Sequence, residues 1–369
     1  MEVVRPYGFD KWMFAITLIL LTMGLVMVFS ASGVASIEKY SQPFYFLIQQ
    51  AMGALAGLGL IVVLLAVRKP FYQQPVFIFG LLAASLGLLV LCFLMPPVAH
   101  TNRWITLAGI RFQPSELAKI SLVLFLAWYL DRRKEKIREP AVFILPLLVV
   151  GLFVLLVLKE PDFGTAALLF ALSLVVLFLG GVRLKYFIYL GLAGVPVFAY
   201  FAMAATYRLE RILAFLSPDK GALGINFQVT QSTLALGAGG FIGASLGEGV
   251  QKLFLPCPYT DFIYAILGEE LGFVGTLVTL VLFVILVWRG VAISLKAPNV
   301  FSQLAAAGLT SLLGIQALLN ITVVLGLGPA KGVPLPFLSF GRSSLVCNLL
   351  VIGILLHISQ RRETQRTQA

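Results

Sequence analysis

Apolar residues run along this chain in long continuous blocks separated by short polar stretches, without the alternation of a membrane β-barrel strand. Ten blocks approach the ~20 residues that a helix needs to cross a bilayer. They lie near 12–33, 44–67, 75–95, 115–130, 140–158, 164–181, 186–206, 261–288, 301–324 and 338–358. Two of them, 115–130 and 164–181, are short, which suits tilted helices or helices shielded inside a bundle. The predicted fold is an all-α polytopic membrane protein. About ten transmembrane helices form one bundle, and 1–369 is a single integral membrane domain. A large extracytoplasmic loop, 207–260, joins helices 7 and 8. It is long for a connection in a compact bundle and so reads as functional. Its stretch 226–236 suits a short interfacial helix. No cleavable leader is evident, and 12–33 is long enough to be a retained first helix. No internal repeat is visible, which argues against an inverted-repeat transporter.

Composition sharpens this picture. Of 369 residues, 60% are hydrophobic and 12% charged, too much apolar surface for a soluble chain to bury. The net charge of +11 is scattered among the loops. It therefore points to membrane orientation and anionic headgroups, not to nucleic acid. Sixteen of the 27 Lys and Arg residues fall on the side of the N-terminus and its co-facial loops, ten fall on the other, and Lys119 lies within a span. The positive-inside rule then predicts both termini in the cytoplasm. Cys92, Cys257 and Cys347 form no disulfide framework or metal spacing, and His100 and His357 are far apart in sequence.

Carboxylates in or beside hydrocarbon are expensive unless paired or used. Asp261 follows Thr260 at the start of a predicted helix, where it reads either as a cap or as a general base with a raised pKa. Glu269 and Glu270 lie ~12–14 Å further along that helix and point away from Asp261. They read as buried structural polar groups paired with a cation, with Lys119 as a candidate partner. In Gln113-Pro114-Ser115-Glu116-Leu117-Ala118-Lys119, Glu116 and Lys119 are three apart and can meet. They either close a helix end or line a cavity shared with Asp261. Arg103, Arg208 and Arg211 offer paired donors to phosphate, or touch lipid headgroups. Asp162 reads as the cap of the following helix. The stretch 332–344 reads as irregular backbone that enters the last span where protein or water satisfies it. No P-loop, dinucleotide fingerprint or HExxH motif occurs.

Eight blocks in order then resemble the SEDS family (shape, elongation, division and sporulation proteins). They are Met27-Val28-Phe29-Ser30-Ala31-Ser32, Arg103-Trp104, Gln113 to Lys119, Pro161-Asp162-Phe163-Gly164-Thr165, Tyr207-Arg208 to Pro218, Gln231-Ser232 with Gly239-Gly240, Thr260-Asp261-Phe262-Ile263, and Lys331 to Ser344. The division branch, FtsW-like, is the better match, and the elongation branch, RodA-like, the second. Cys257, Tyr259 and Arg342 depart from the family pattern of glutamate, histidine and glycine.

The resemblance implies a peptidoglycan glycosyltransferase that polymerises lipid II at the outer face of the cytoplasmic membrane. It makes Asp261, Glu116 and Lys119 the catalytic set. It directs Arg103, Arg208, Arg211, Gln231, Ser232, Lys331, Ser339 and Ser343 to substrate binding. Implied partners are lipid II, a class B penicillin-binding transpeptidase and other divisome membrane proteins. No cofactor is certain, and a divalent cation (Mg or Mn) is a candidate with no readable ligand set. Rival functions are a lipid II flippase, with Glu269 or Glu270 carrying protons, and a non-catalytic scaffold for the transpeptidase.

Overall fold

The computed structural model describes residues 8–67, 69–96, 101–107, 110–203, 227–328 and 332–368. Its helices are α1 (Lys11–Tyr40), α2 (Tyr45–Ala66), α3 (Pro75–Cys92), α4 (Pro114–Arg132), α5 (Pro140–Lys159), α6 (Phe163–Leu179), α7 (Leu184–Met203), the shorter α8 (Phe227–Gly239), α9 (Ile263–Leu295), α10 (Val300–Val324) and α11 (Arg342–Gln368). Local chemistry sets their starts. Pro75, Pro114 and Pro140 open α3, α4 and α5, where a missing N–H costs nothing. Asp10, Asp162 and Asn299 accept a backbone N–H from the first turns of α1, α6 and α10.

Among the described residues, α1, α2, α3, α5, α9, α10 and the first 19 residues of α11 are long and apolar enough to cross a membrane. Residues such as Leu55, Val62, Val76, Leu148 and Trp288 expose their side chains on the outside of the bundle, where a bilayer would cover them. This is the architecture of a multi-pass membrane protein. The predicted short spans lie within it. Helix α4 packs against α3, α5, α6, α10 and α11, and all but four of its nineteen residues are buried. It never needs a lipid-compatible surface, so it tolerates Glu116 and Lys119.

Two features differ from the sequence expectation. The span predicted at 261–288 is not one regular helix. Helix α9 starts only at Ile263 and breaks at Gly272, whose φ of +67° favours a residue without Cβ. A Cβ there would stand 2.4 Å from the Gly243 nitrogen. The 240–245 stretch lies in the break and bonds its freed backbone groups: Phe273 N to Gly240 O (2.9 Å), Ala244 N to Glu269 O (3.0 Å) and Ser245 N to Glu270 O (3.2 Å). Second, the chain is not purely helical. A small antiparallel hairpin, β1 (Ile105–Leu107) with β2 (Ile110–Phe112), pairs Ile105 with Phe112 between α3 and α4. The short helix expected at 226–236 is α8, and it packs on α9 and α10. The remainder of the predicted loop at 207–226 lies outside the described residues.

Candidate active site

At one end of the bundle, α3 and α5 finish, α4, α6, α9 and α11 begin, and the segment 332–341 returns from α10 to α11. The functional candidates meet at this end. Asp261 stands in the turn before α9, and its side chain does not cap that helix. The N-cap is Phe262, with no side-chain hydrogen bond. Asp261 is half-buried, and no hydrogen bond from a described residue reaches its carboxylate. One carboxylate oxygen lies so close to Gly332 that a Cβ there would stand 3.1 Å away. Its backbone is fixed more firmly. Asn320 Nδ2 donates to the carbonyls of both Asp261 and Val333, each at 2.8 Å. Tyr259, two residues upstream, is buried in an aromatic cluster with Phe46 and Phe340, and Phe340 N donates to its carbonyl at 2.8 Å. Burial pushes the Asp261 carboxyl up to about 6, helped by Asp162 and opposed by the Arg103 guanidinium. The result is a carboxylate that is ionised at neutral pH yet basic enough to take a proton.

The loop before the hairpin and the α5–α6 corner supply the charges around it. Asp162 is buried and caps α6 with both oxygens, accepting from Thr165 N (3.0 Å) and Thr165 Oγ1 (2.9 Å). Gln113 Nε2 reaches it at 3.4 Å from just before α4, and Arg103 stands 3.8 Å away. Arg103 also lies over the Trp104 ring and is about one-third exposed. It thus presents a guanidinium toward solvent from a seat between carboxylates.

Glu116 and Lys119 form a buried ion pair at 2.8 Å, local to the first turns of α4. They lie near Cys347 on α11, whereas the charges that act on Asp261 are those of Arg103 and Asp162. The expectation that Lys119 pairs with Glu269 or Glu270 is therefore corrected. Glu269 accepts from Val250 N (2.6 Å) and Gln251 N (2.9 Å), while Glu270 accepts from Ser30 (2.6 Å) and Lys252 (2.9 Å). Both fasten the 243–253 stretch to α9, and Glu270 also ties it to α1. Among the described residues no three His, Cys, Asp or Glu side chains are grouped to hold a metal, so the site's donors name no metal ligand set.

The comparisons with known proteins cover nearly the whole chain. The family described as "Cell cycle protein", which groups FtsW, RodA and SpoVE, matches residues 11–364. The chain belongs to the FtsW/RodA/SpoVE family. A "Probable peptidoglycan glycosyltransferase FtsW" of Geobacter sp. (strain M18) is 39% identical over 97% of this chain and 98% of the relative. "Stage V sporulation protein E" of Bacillus subtilis (strain 168) is also 39% identical, over 95% of this chain and 97% of its own length. Among solved structures, a chain from work on structural coordination of polymerization and crosslinking by a peptidoglycan synthase complex superposes with a TM-score of 0.80. It has 29% identity and covers 96% of this chain and 98% of that one. The rod shape determining protein RodA of Thermus thermophilus gives 0.70 at 26% identity, with the same coverage.

Within this FtsW/RodA/SpoVE fold the other sequence-predicted residues separate into groups. Arg208, Arg211 and Lys331 lie outside the described residues. Gln231 is half-buried on α8. The Ser232 hydroxyl is buried and donates toward the Val229 and Val324 carbonyls, tying α8 to α10. Ser339 is likewise engaged: its Oγ accepts from Leu335 N at 2.8 Å and its carbonyl accepts from Gln50 Nε2 at 3.0 Å. Ser343 is buried in the first turn of α11. The unusual Arg342 donates to Gln49 Oε1 at 2.6 Å and so joins α11 to α2.

Sequence reasoning missed Asn320, Gln50 and Glu160. Gln50 holds the 339–341 turn from both sides, since Gly341 N donates to its Oε1 at 3.1 Å. Glu160 is fully buried at the end of α5, beside Asp162. The available signal for the first two was an amide inside an otherwise apolar span, which is costly unless bonded.

Proposed function

We propose that this chain is a peptidoglycan glycosyltransferase that polymerises lipid II into glycan strands at the outer face of the bacterial cytoplasmic membrane, for septal wall synthesis in cell division. The observation that carries this is Asp261: a carboxylate with a basic character, unused in capping, held by its backbone and facing a guanidinium. The relatives that are named peptidoglycan glycosyltransferases support the substrate class.

In this account Asp261 removes the proton from the acceptor GlcNAc 4-hydroxyl as its oxygen bonds to the donor MurNAc anomeric carbon. The bond from that carbon to the pyrophosphate oxygen breaks, and undecaprenyl pyrophosphate leaves with the electron pair. A positioned base contributes about 10²–10⁴-fold. Arg103 faces the charge that develops on the leaving pyrophosphate, with Arg208, Arg211 and Lys331 as further cations from the same chain. Glu116 and Lys119 act as positioning residues. Their ion pair fixes the start of α4, and with it Gln113, which bonds Asp162. A magnesium or manganese ion, if bound, would share the neutralisation of the pyrophosphate with Arg103 and the other cations.

The positive-inside count puts both termini in the cytoplasm and the Asp261 end outside, where the lipid II disaccharide is available. The proposed partners are a class B penicillin-binding transpeptidase and other divisome membrane proteins. The transpeptidase is supported by the likeness to a peptidoglycan synthase complex. The flippase alternative requires Glu269 or Glu270 to exchange protons freely, and both are tied to neighbouring chain.

The test uses purified protein with its cognate transpeptidase in sealed vesicles that carry lipid II. Glycan polymer, without protein-dependent translocation of lipid II across the bilayer, is the expected result. Translocation without polymer would replace the polymerase with the flippase.

A further inference from the structure

Asp261, Asp162 and Arg103 have roles in the proposed transfer, but a fourth ionisable group at the same corner has none. Glu160 is the C-cap of α5, with no exposed surface. Neither of its carboxyl oxygens has a hydrogen-bond partner among the described residues. An ionised carboxylate placed there would be costly. It would also face the negative end of the α5 dipole. Asp162, two residues on, has the opposite setting. It sits at the positive N-terminal end of α6 and accepts bonds from Thr165. The α5–α6 corner therefore pairs one carboxyl built to be charged with one built to be neutral, a division that marks proton roles in working sites.

We propose that Glu160 is a positioning residue that works uncharged: its carboxyl keeps a proton beside Arg103 and so leaves the guanidinium's charge free for a phosphate-bearing ligand. This rests on the glycosyltransferase reading and adds to it an alkaline limit. The groups facing Glu160 are Cys92 at the end of α3, Arg103 before β1 and Asp162 at the start of α6. On α4, Lys119 pairs with Glu116 Oε1 at 2.8 Å, while Glu116 Oε2 has no hydrogen-bond partner among the described residues. Lys159 on its own helix is exposed, and His100 lies outside the described residues. Burial and the Asp162 charge raise Glu160 to about 8, with Arg103 opposing. Above that pH a second carboxylate competes for Arg103, and the site loses net positive charge where the pyrophosphate must bind.

The experiment compares pH profiles of lipid II polymerisation for the wild type and Glu160→Gln, each with its cognate transpeptidase. In parallel, infrared titration follows the carbonyl stretch of protonated carboxyls. The wild-type rate is expected to fall about tenfold per pH unit above pH 8 through KM, as for loss of one proton. Glu160→Gln, which stays neutral, is expected to stay flat there and to lack a carboxyl band titrating near 8. Glu160→Asp, which retains a carboxyl, is expected to retain an alkaline fall. Superimposed profiles for wild type and Glu160→Gln would overturn the proposal. If no variant and no wild type polymerises at any pH, the glycosyltransferase reading fails instead. The infrared band then decides Glu160 alone: a band near 8 lost in Glu160→Gln sustains the held proton, and its absence from the wild type overturns it.

Discussion

Asn320, deep in α10, holds Asp261 through the backbone. Its Nδ2 donates at 2.8 Å both to the Asp261 carbonyl and to the Val333 carbonyl. One side chain thereby fixes the turn that bears the proposed base to the segment that lines its carboxylate. The geometry of the site depends on a residue with no part in the chemistry.

Replacing Asn320 with Leu removes both bonds and leaves the buried Val333 carbonyl and the half-buried Asp261 carbonyl unpaired. Each such group costs about 1–3 kcal/mol, so thermal unfolding of the detergent-solubilised protein should start at lower temperature. Polymerisation should fall by roughly a hundredfold, the size of loss that a ~1 Å displacement of a catalytic group produces. Asn320→Asp should be at least as damaging, because it sets an acceptor against two carbonyl oxygens. A polymerisation rate within twofold of wild type in Asn320→Leu would mean that the clamp does not position Asp261.

The acid limb of the pH profile should report Asp261. Its folded pKa is raised to about 6 by burial and Asp162, so the base form dominates above pH 6 and is lost as the pH falls below it. Arg103 lowers that value. Arg103→Met should therefore shift the acid midpoint upward, while also slowing turnover by about 10²–10³-fold if the guanidinium meets developing charge. A downward shift in kcat/KM profiles would contradict the assignment.

Lys252 and Glu270 make a buried pair at 2.9 Å. Lys252→Met leaves the buried Glu270 carboxylate without its cation and with only the Ser30 hydroxyl, a loss of up to about 3 kcal/mol, whereas Lys252→Met with Glu270→Gln should recover much of it. Unfolding temperatures of the two variants and the wild type give the comparison. Equal destabilisation in single and double variants would show that the pair is not what holds the 243–253 stretch.

Gly272 is the joint at which α9 breaks. Gly272→Ala places a Cβ 2.4 Å from the Gly243 nitrogen in a left-handed conformation. Gly237→Ala, near the end of α8, meets nothing within 4 Å. Proteolysis of the 240–253 stretch should accelerate in the first variant far more than in the second.

Hydropathy made the ten long helices readable, because lipid-facing residues must be apolar whatever the packing. It also marked α4 and α6 as short, and the interior position of α4 explains how that helix carries Glu116 and Lys119. The break at Gly272 was not legible. Glycines such as Gly59 and Gly87 also lie inside unbroken helices, and the contacts that stabilise the break come from 240–245, far away in sequence. The same holds for Glu269 and Glu270. Their burial followed from their setting, but their partners, Val250, Gln251, Ser30 and Lys252, depend on how the loop folds back. The cap that Asp162 makes on α6 was legible. The hydrogen bonds of Ser232 and Ser339 were not, because a motif shows a hydroxyl but not the carbonyl or amide that engages it.

The central claim is that Asp261 is the base of a glycosyl transfer, and it is tested most directly with Asp261→Asn. Lipid II polymerisation by the purified variant with its cognate transpeptidase should fall by about 10²–10⁴-fold, while its unfolding temperature and transpeptidase binding match wild type. Asparagine keeps the shape of the turn and the carbonyl that Asn320 holds, but it cannot take a proton. Polymer made at the wild-type rate by this folded variant would contradict the account and remove Asp261 as the base.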